Sequence, residues 1–166
     1  MTSARPAVLA EIPVMIDYGQ LVVFVPSVPR AGLLWTDEHV RQGFAWAPGI
    51  VCFGISDHDG YDLVRIEAAG DQAIAPEALW AIRVPLEVQR DGVEVGTVGI
   101  HENVSVPEGR YSLVFQALPG TGMPDDEASG APCAHILHLK FCPVEIVKQG
   151  SELQTDKVLR ISADYA

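Results

Sequence analysis

The stretch Leu34–Phe53, LWTDEHVRQGFAWAPGIVCF, combines the start of a short helix, a cluster of aromatic residues and the entry to a strand. Thr36 is a good N-cap, because its hydroxyl can accept a hydrogen bond from a free amide of the first turn. Asp37 and Glu38 then place negative charge at the positive end of the helix dipole. Gly43 can adopt the left-handed conformation that ends a helix. The stretch therefore predicts a short capped helix that leads into a strand.

Large apolar side chains flank this predicted helix on both sides, and two interpretations follow. In the first, the helix is a structural plug that covers one end of a sheet. In the second, it is a recognition surface built on a rigid turn, and the two interpretations are compatible. Packing alone predicts that Phe44, Trp46 and Phe53 are buried, whereas Trp35, Asp37 and Glu38 are the residues that separate a plug from a binding site.

Short apolar runs separated by turn residues make up most of the remaining chain. Asp59-Gly60 and Arg90-Asp91-Gly92 lie between such runs and predict β-hairpins. Eight to ten short strands and one short helix predict an all-β fold, an antiparallel β-sandwich. The predicted strands are Glu11–Tyr18, Gln20–Pro26, Gly49–Ile55, Tyr61–Ala68, Leu79–Val88, Val93–Val98, Gly99–Val106, Arg110–Leu118, His135–Val147 and Lys157–Ile161.

The length of 166 residues predicts one domain over residues 1–166. Residues 1–10 are predicted to form a loose N-terminal arm. Residues 119–132 are predicted to form a long acidic loop that contains Asp125-Asp126-Glu127. A loop of this length inside a compact domain is expected to be either mobile or functional.

The formal net charge of −11 restricts the classes of partner. Direct binding of nucleic acid or of an anionic membrane needs a basic face, so neither is expected. A basic protein suits this charge better. Three scattered cysteines do not form a disulfide framework and favour a reducing cytoplasm. No apolar run reaches the length of a membrane span, and a homo-oligomer stays open.

Motifs for catalysis or cofactor binding are absent, and two residue clusters invite a metal. Asp57, Asp59 and Asp62 resemble part of a calcium loop, although the full spacing and the distal glutamate are missing. Cys133, His135, His138 and Cys142 suggest zinc, but strand alternation places the first two on one face and the last two on the other. A solvated turn and packed thiols and histidines are therefore favoured. We predict no enzyme activity, no metal and no cofactor.

Several segments between Tyr18 and Phe53, which include Trp35-Thr-Asp-Glu38 and Ala47-Pro-Gly49, resemble the competence protein J family. Its members are described as inhibitors of the DNA-entry nuclease of transformable bacteria. The resemblance covers about two thirds of the chain and continues more weakly through Arg65, Ala81–Val88 and Pro107–Leu118. This chain differs by a longer N-terminal arm, the acidic insertion and a longer C-terminal end. The segments that carry the resemblance most closely are Tyr18-Gly-Gln20, Trp35-Thr-Asp-Glu38, Val40, Gly43-Phe-Ala45, Ala47-Pro-Gly49 and Val51-Cys-Phe53.

The resemblance implies a non-catalytic inhibitor of a nuclease. The net charge of −11 suggests that its carboxylates occupy the basic cleft of that nuclease. Charge and expected exposure suggest an aromatic anchor and five carboxylates as partner-binding residues: Trp35, Asp37, Glu38, Asp57, Asp59 and Asp62. The alternative is a β-sandwich that binds a carbohydrate or lipid in a pocket lined by Trp35, Trp46 and Trp80. A metal-dependent enzyme that uses the scattered histidines is the least favoured hypothesis.

Overall fold

The computed structural model describes residues 7–16, 18–29, 35–55, 60–97, 99–120, 135–144 and 159–161. Within these residues the chain forms eleven strands and one helix, α1 (Asp37–Gln42). The strands are β1 (Ala7–Ile16), β2 (Gln20–Phe24), β3 (Phe44–Ala47), β4 (Ile50–Gly54), β5 (Gly60–Ala68), β6 (Trp80–Val88), β7 (Val93–Thr97), β8 (Ile100–Val104), β9 (Gly109–Pro119), β10 (His135–Pro143) and β11 (Leu159–Ile161).

The strands form two sheets, and this confirms the predicted all-β fold. The first sheet has six strands in the order β1-β5-β10-β9-β6-β11, and the second has five in the order β3-β4-β2-β7-β8. Neighbouring strands are antiparallel except for β5 and β10, which run parallel.

Alternating apolar side chains from both sheets form one hydrophobic core. Phe53 of the second sheet stacks on Phe115 of the first with ring centroids 4.3 Å apart. Both rings are fully buried, and each such side chain contributes about 1.5–3 kcal/mol through burial. Phe44 and Phe53 are buried as predicted, whereas Trp46 is only partly buried.

Both predicted hairpins are wrong in their pairing. β4 lies in the second sheet and β5 in the first, so these strands do not pair across Asp59-Gly60. β6 and β7 likewise belong to different sheets, although Gln89 and Gly92 form a β-bridge between them. The Asp-Gly signal specifies a reversal of the chain, and it does not specify which sheet receives the next strand.

The boundaries of the predicted arm and of the last strand change. β1 begins at Ala7, so the last four residues of the predicted loose arm are part of a strand. The predicted strand at Lys157–Ile161 is present as Leu159–Ile161, beside β6 at one edge of the first sheet. β9 ends at Pro119, and the acidic residues Asp125-Asp126-Glu127 lie outside the described residues.

The connection from β5 to β6, residues 69–79, crosses the outer face of the first sheet; we call it the crossover strap. It must pass β10 and β9, which lie between the two strands it joins. Its ends are fixed by backbone hydrogen bonds from Ala69 N to Phe141 O (3.1 Å) and from Leu79 N to Ala117 O (2.7 Å). The outer face of β9 and β10 is consequently covered.

Candidate functional site

Helix α1 begins and ends at the predicted residues. The Thr36 hydroxyl accepts a hydrogen bond from His39 N, and His39 Nδ1 accepts one from Thr36 N, each at 3.2 Å. This reciprocal pair is a capping box in which histidine replaces the usual glutamate. Gly43 ends the helix at φ 90°, with its amide bonded to His39 O. The predicted N-cap and stop are confirmed.

The interpretation of α1 as a plug is wrong. None of the six helical residues is buried, and Val40 is 62% exposed. The apolar cover at this end of the second sheet comes instead from the residues that flank the helix, with Phe44 in the core and Trp35 on the outer face. A helix that buries nothing but is capped at both ends is a rigid surface feature.

Trp35 is fixed in place although its indole is partly exposed. Its Nε1 donates a hydrogen bond to Gln20 Oε1 at 3.1 Å. The ring packs against an outer-face cluster of Phe24, Ile50 and Cys52. The side chain of His39 meets it edge-on, with ring centroids 6.2 Å apart. These contacts fix the orientation of the partly exposed indole.

The two acidic residues of the first turn differ in their surroundings. Asp37 and Glu38 are both exposed, as the partner-binding prediction requires. Glu38 pairs with Arg41 one turn later on the same helix. Because both side chains are largely exposed, such a pair contributes only about 0.2–1 kcal/mol. Arg41 nevertheless offsets part of the negative charge of α1.

Asp62 is not at the surface, so the exposure predicted for it is wrong. It is 1% exposed, and its Oδ1 accepts a hydrogen bond from His135 N at 2.9 Å. Its Oδ2 lies 3.5 Å from His135 Nδ1. The reason is strand alternation, because Asp62 shares a face of β5 with the core residues Val64 and Ile66. Asp57 and Asp59 lie outside the described residues.

The residues of the zinc hypothesis are dispersed. His135 contacts Trp80 on the core side of β10, whereas His138 and Cys142 lie on the outer face under the crossover strap. Cys133 lies outside the described residues. In the part of the chain that the structure describes, no three His, Cys, Asp or Glu side chains come together to hold a metal ion.

Under the crossover strap, sequence reasoning missed a network of buried polar groups. Lys140 is 7% exposed, and its Nζ donates to Ala73 O (2.8 Å) and to Asp71 Oδ1 (3.3 Å). The bond that Asp71 accepts from the Ala73 amide and its contact with Lys140 lower the pKa of the Asp71 carboxyl. These contacts hold the crossover strap against β10.

A second part of this network centres on Gln116 and His138. Gln116 Oε1 accepts a hydrogen bond from Ala75 N at 2.8 Å, and its Nε2 lies 2.9 Å from His138 Nδ1. His138 Nε2 lies 3.0 Å from Glu67 Oε2. Burial lowers the pKa of His138, although the neighbouring Glu67 opposes this effect. In the sequence, this polar network was signalled only by the outward-facing polar residues of β9.

The three tryptophans occupy different places, so the predicted ligand pocket lined by all three is wrong. Trp80 is buried against Phe115 and His135. Trp46 Nε1 donates to Pro85 O at 2.9 Å, and its ring lines a surface cavity of about 260 Å³ together with Tyr111. Trp35 lies on the outer face of the second sheet.

Tyr18 is a surface residue that was not among the predicted partner-binding residues. It is 80% exposed. Its backbone φ of 58° is positive, which is uncommon for a residue other than glycine. Gly19 follows with φ 59°. The sequence offered two signals for it: an aromatic residue directly before a glycine, between two strands, and its place in the Tyr18-Gly-Gln20 segment of the family resemblance.

Comparison with known proteins assigns the chain to a family. The family model for competence protein J (ComJ) matches residues 13–142. The chain belongs to the competence protein J family. The match includes the cap, stop and turn segments that surround α1, so the resemblance predicted from these segments is confirmed.

Two solved structures share the fold of this family member. The crystal structure of ComJ from Bacillus subtilis, an inhibitor of the DNA-degrading activity of NucA, has a TM-score of 0.68 and 18% sequence identity, and the similarity covers 85% of this chain and 100% of that one. A protein described as crocagin biosynthetic gene J has a TM-score of 0.51 and 14% identity, with 84% of this chain and 99% of that chain covered. No curated protein sequence matches the chain. None of the helices in the described residues has the length and apolar character needed to cross a membrane.

Proposed function

We propose that this protein is a non-catalytic inhibitor that binds a nuclease and covers its basic, DNA-binding cleft. Membership in the competence protein J family is the observation that carries the proposal. Support comes from the fold shared with ComJ of Bacillus subtilis, which inhibits the DNA-degrading activity of NucA. A location in the cytoplasm is part of the proposal, since the buried free thiols of Cys52 and Cys142 suit a reducing compartment.

Electrostatics favours a nuclease as the partner. A nuclease that holds DNA presents cationic side chains to phosphates, and carboxylates can take the place of those phosphates. A net charge of −11 would also accelerate association with a basic protein at low ionic strength. The same charge disfavours competition for the DNA itself.

The surface around α1 is the binding site in this proposal. Trp35 supplies a partly buried aromatic side chain with a fixed orientation, the kind of residue that dominates many interfaces. Asp37 and Glu38 lie beside it on a capped helix and supply exposed negative charge. Asp57 and Asp59 belong to the proposed partner-binding residues on the ground of their charge alone. Asp62 has no part in it, because its carboxylate is buried against His135.

The experiment measures protection of plasmid DNA by the purified protein against a basic nuclease, with NucA as the first choice. We expect stoichiometric inhibition by the wild-type chain. The double variant Asp37→Lys, Glu38→Lys should bind at least about tenfold more weakly, because the coupling energy of a close charge pair across a charged interface is about 1.5–7 kcal/mol. Absence of inhibition by the wild-type protein would overturn the proposal.

A matched control separates a specific surface from general charge. Asp91→Lys with Glu108→Lys changes the net charge by the same amount, and both residues are exposed. Asp91 precedes β7, at the end of the second sheet where Glu94 pairs with Phe24. Trp35 instead contacts Gln20, at the opposite end of β2. The control should retain inhibition; equal loss in both variants would mean that only overall charge matters.

A further inference from the structure

We propose that Tyr18 is an aromatic anchor of the nuclease-binding surface, where its ring packs on a cationic side chain of the partner. The inference rests on the proposed function and adds to it a residue whose backbone is held in an unusual conformation and whose side chain is exposed.

The backbone of Tyr18 is held in a conformation that suits other residues better. Its φ of 58° lies in the left-handed region, which disfavours side chains with a Cβ and is visited mainly by glycine, asparagine and aspartate. Two consecutive positive φ values, here Tyr18 and Gly19, are typical of a type I′ turn, for which Asn-Gly and Asp-Gly are preferred. A tyrosine at the first of these positions therefore costs stability.

Packing within the chain does not account for the tyrosine. Its side chain is 80% exposed, the highest value among the exposed large apolar residues of the described chain. Burial of the ring in the core would have offset the backbone strain, but the ring points to solvent instead. Strained residues that persist without a packing benefit are characteristic of binding and catalytic sites.

Tyr18 is attached to the same end of the second sheet as α1. Gly19 O accepts a hydrogen bond from Ile55 N at 2.7 Å. The next residue, Gln20, accepts the hydrogen bond from Trp35 Nε1 and pairs with Gly54. Gly54 N in turn donates to Gly43 O, at the end of α1, at 2.8 Å. A short series of hydrogen bonds therefore connects the Tyr18 turn with the proposed binding helix.

The chemistry of this surface specifies the contact that Tyr18 makes. Tyrosine is enriched among residues that dominate binding energy. Its ring face attracts lysine and arginine side chains, which a nuclease needs in order to hold DNA. The exposed carboxylates of Asp37 and Glu38 favour the same cationic partner surface.

The test compares thermal stability and nuclease inhibition in Tyr18→Asn. Asparagine tolerates the left-handed conformation, so the melting temperature should rise by about 2–4 °C. Inhibition should weaken at least about tenfold, as expected for loss of an anchoring residue. Tyr18→Phe keeps the ring and should retain most of the inhibition. Ile100→Thr, which shortens another exposed apolar residue on the edge strand β8, should leave inhibition unchanged.

The outcomes separate this inference from the proposed function. If the wild-type protein inhibits the nuclease and Tyr18→Asn inhibits equally well, the anchor role is wrong and the inhibitor function stands. A lower melting temperature for Tyr18→Asn would mean that the tyrosine stabilises the fold, which also overturns the inference. A wild-type protein that does not inhibit any basic nuclease would overturn both.

Discussion

Substitution of Thr36 by alanine tests whether α1 is a separately stabilised surface feature. A helix of six residues is too short to persist alone in water. Here it depends on the capping box between Thr36 and His39, on Gly43, and on the hydrogen bond from Gly54 N to Gly43 O. Removing the Thr36 hydroxyl deletes the bond to His39 N and should cost about 1 kcal/mol. That cost corresponds to about a fivefold larger population of the opened helix.

Amide hydrogen exchange measures this opening directly. The amides of Val40 and Gly43 bond to Thr36 O and His39 O inside the helix, so their exchange rates should rise about fivefold in Thr36→Ala. Amides in the core, such as those of β9, should stay far better protected than those of α1, because α1 opens without the core. The melting temperature should fall by about 2–4 °C, because the folded state also loses about 1 kcal/mol relative to the unfolded chain. The variant Thr36→Ser keeps the hydroxyl and is the matched control.

Two results would refute this reasoning. Unchanged exchange at Val40 and Gly43 would show that the cap does not limit opening of α1. Protection of the Val40 and Gly43 amides as strong as that of the β9 amides would show that α1 opens only together with the core. The second result would restore the plug interpretation, even though the helix buries no side chain.

Three further substitutions test the buried polar groups. Asp62→Ala should lower the free energy of unfolding by about 2–3 kcal/mol, because His135 N loses its buried acceptor; a loss of inhibition at unchanged stability would contradict this role. Lys140→Met keeps the apolar stem but removes the bond to Ala73 O, so chemical denaturation should show a loss of about 1–2 kcal/mol. The pKa of His138 is lowered by burial, so the native state resists protonation and stability should fall as the pH drops below about 6.5. His138→Asn should remove that part of the pH dependence, and an unchanged slope would assign it to another group.

Local chemistry explains why the start and end of α1 were predictable. The cap and the stop depend on contacts between residues three or four positions apart, Thr36 with His39 and Gly43 with His39. Such contacts are encoded in any sequence that contains the right residue types at that spacing. The all-β class was predictable for a related reason, since alternation and turn residues are local signals.

The pairing of strands was not predictable from these signals. The Asp-Gly and Arg-Asp-Gly turns reverse the chain, but in a sandwich the next strand can enter either sheet. The error at Asp62 has the same origin, because the carboxylate is satisfied by His135, 73 residues further along the chain. A polar residue between apolar ones indicates a surface position only when no distant group completes its hydrogen bonds.

The outer surfaces of the two sheets differ in how their polar and exposed groups are arranged, and this difference supports the proposed location of the binding surface. On the first sheet, the crossover strap covers β9 and β10, and its polar contacts are made within the chain, with Lys140 bonded to Ala73 O and Gln116 to Ala75 N. At the α1 end of the second sheet, the chain instead orders groups that it does not bury: a doubly capped helix and an exposed tyrosine in a left-handed conformation. Ordering exposed side chains costs conformational entropy that burial does not repay here. A partner that meets a preordered surface avoids that cost on binding, so this end of the second sheet is where a nuclease would gain most from the fold.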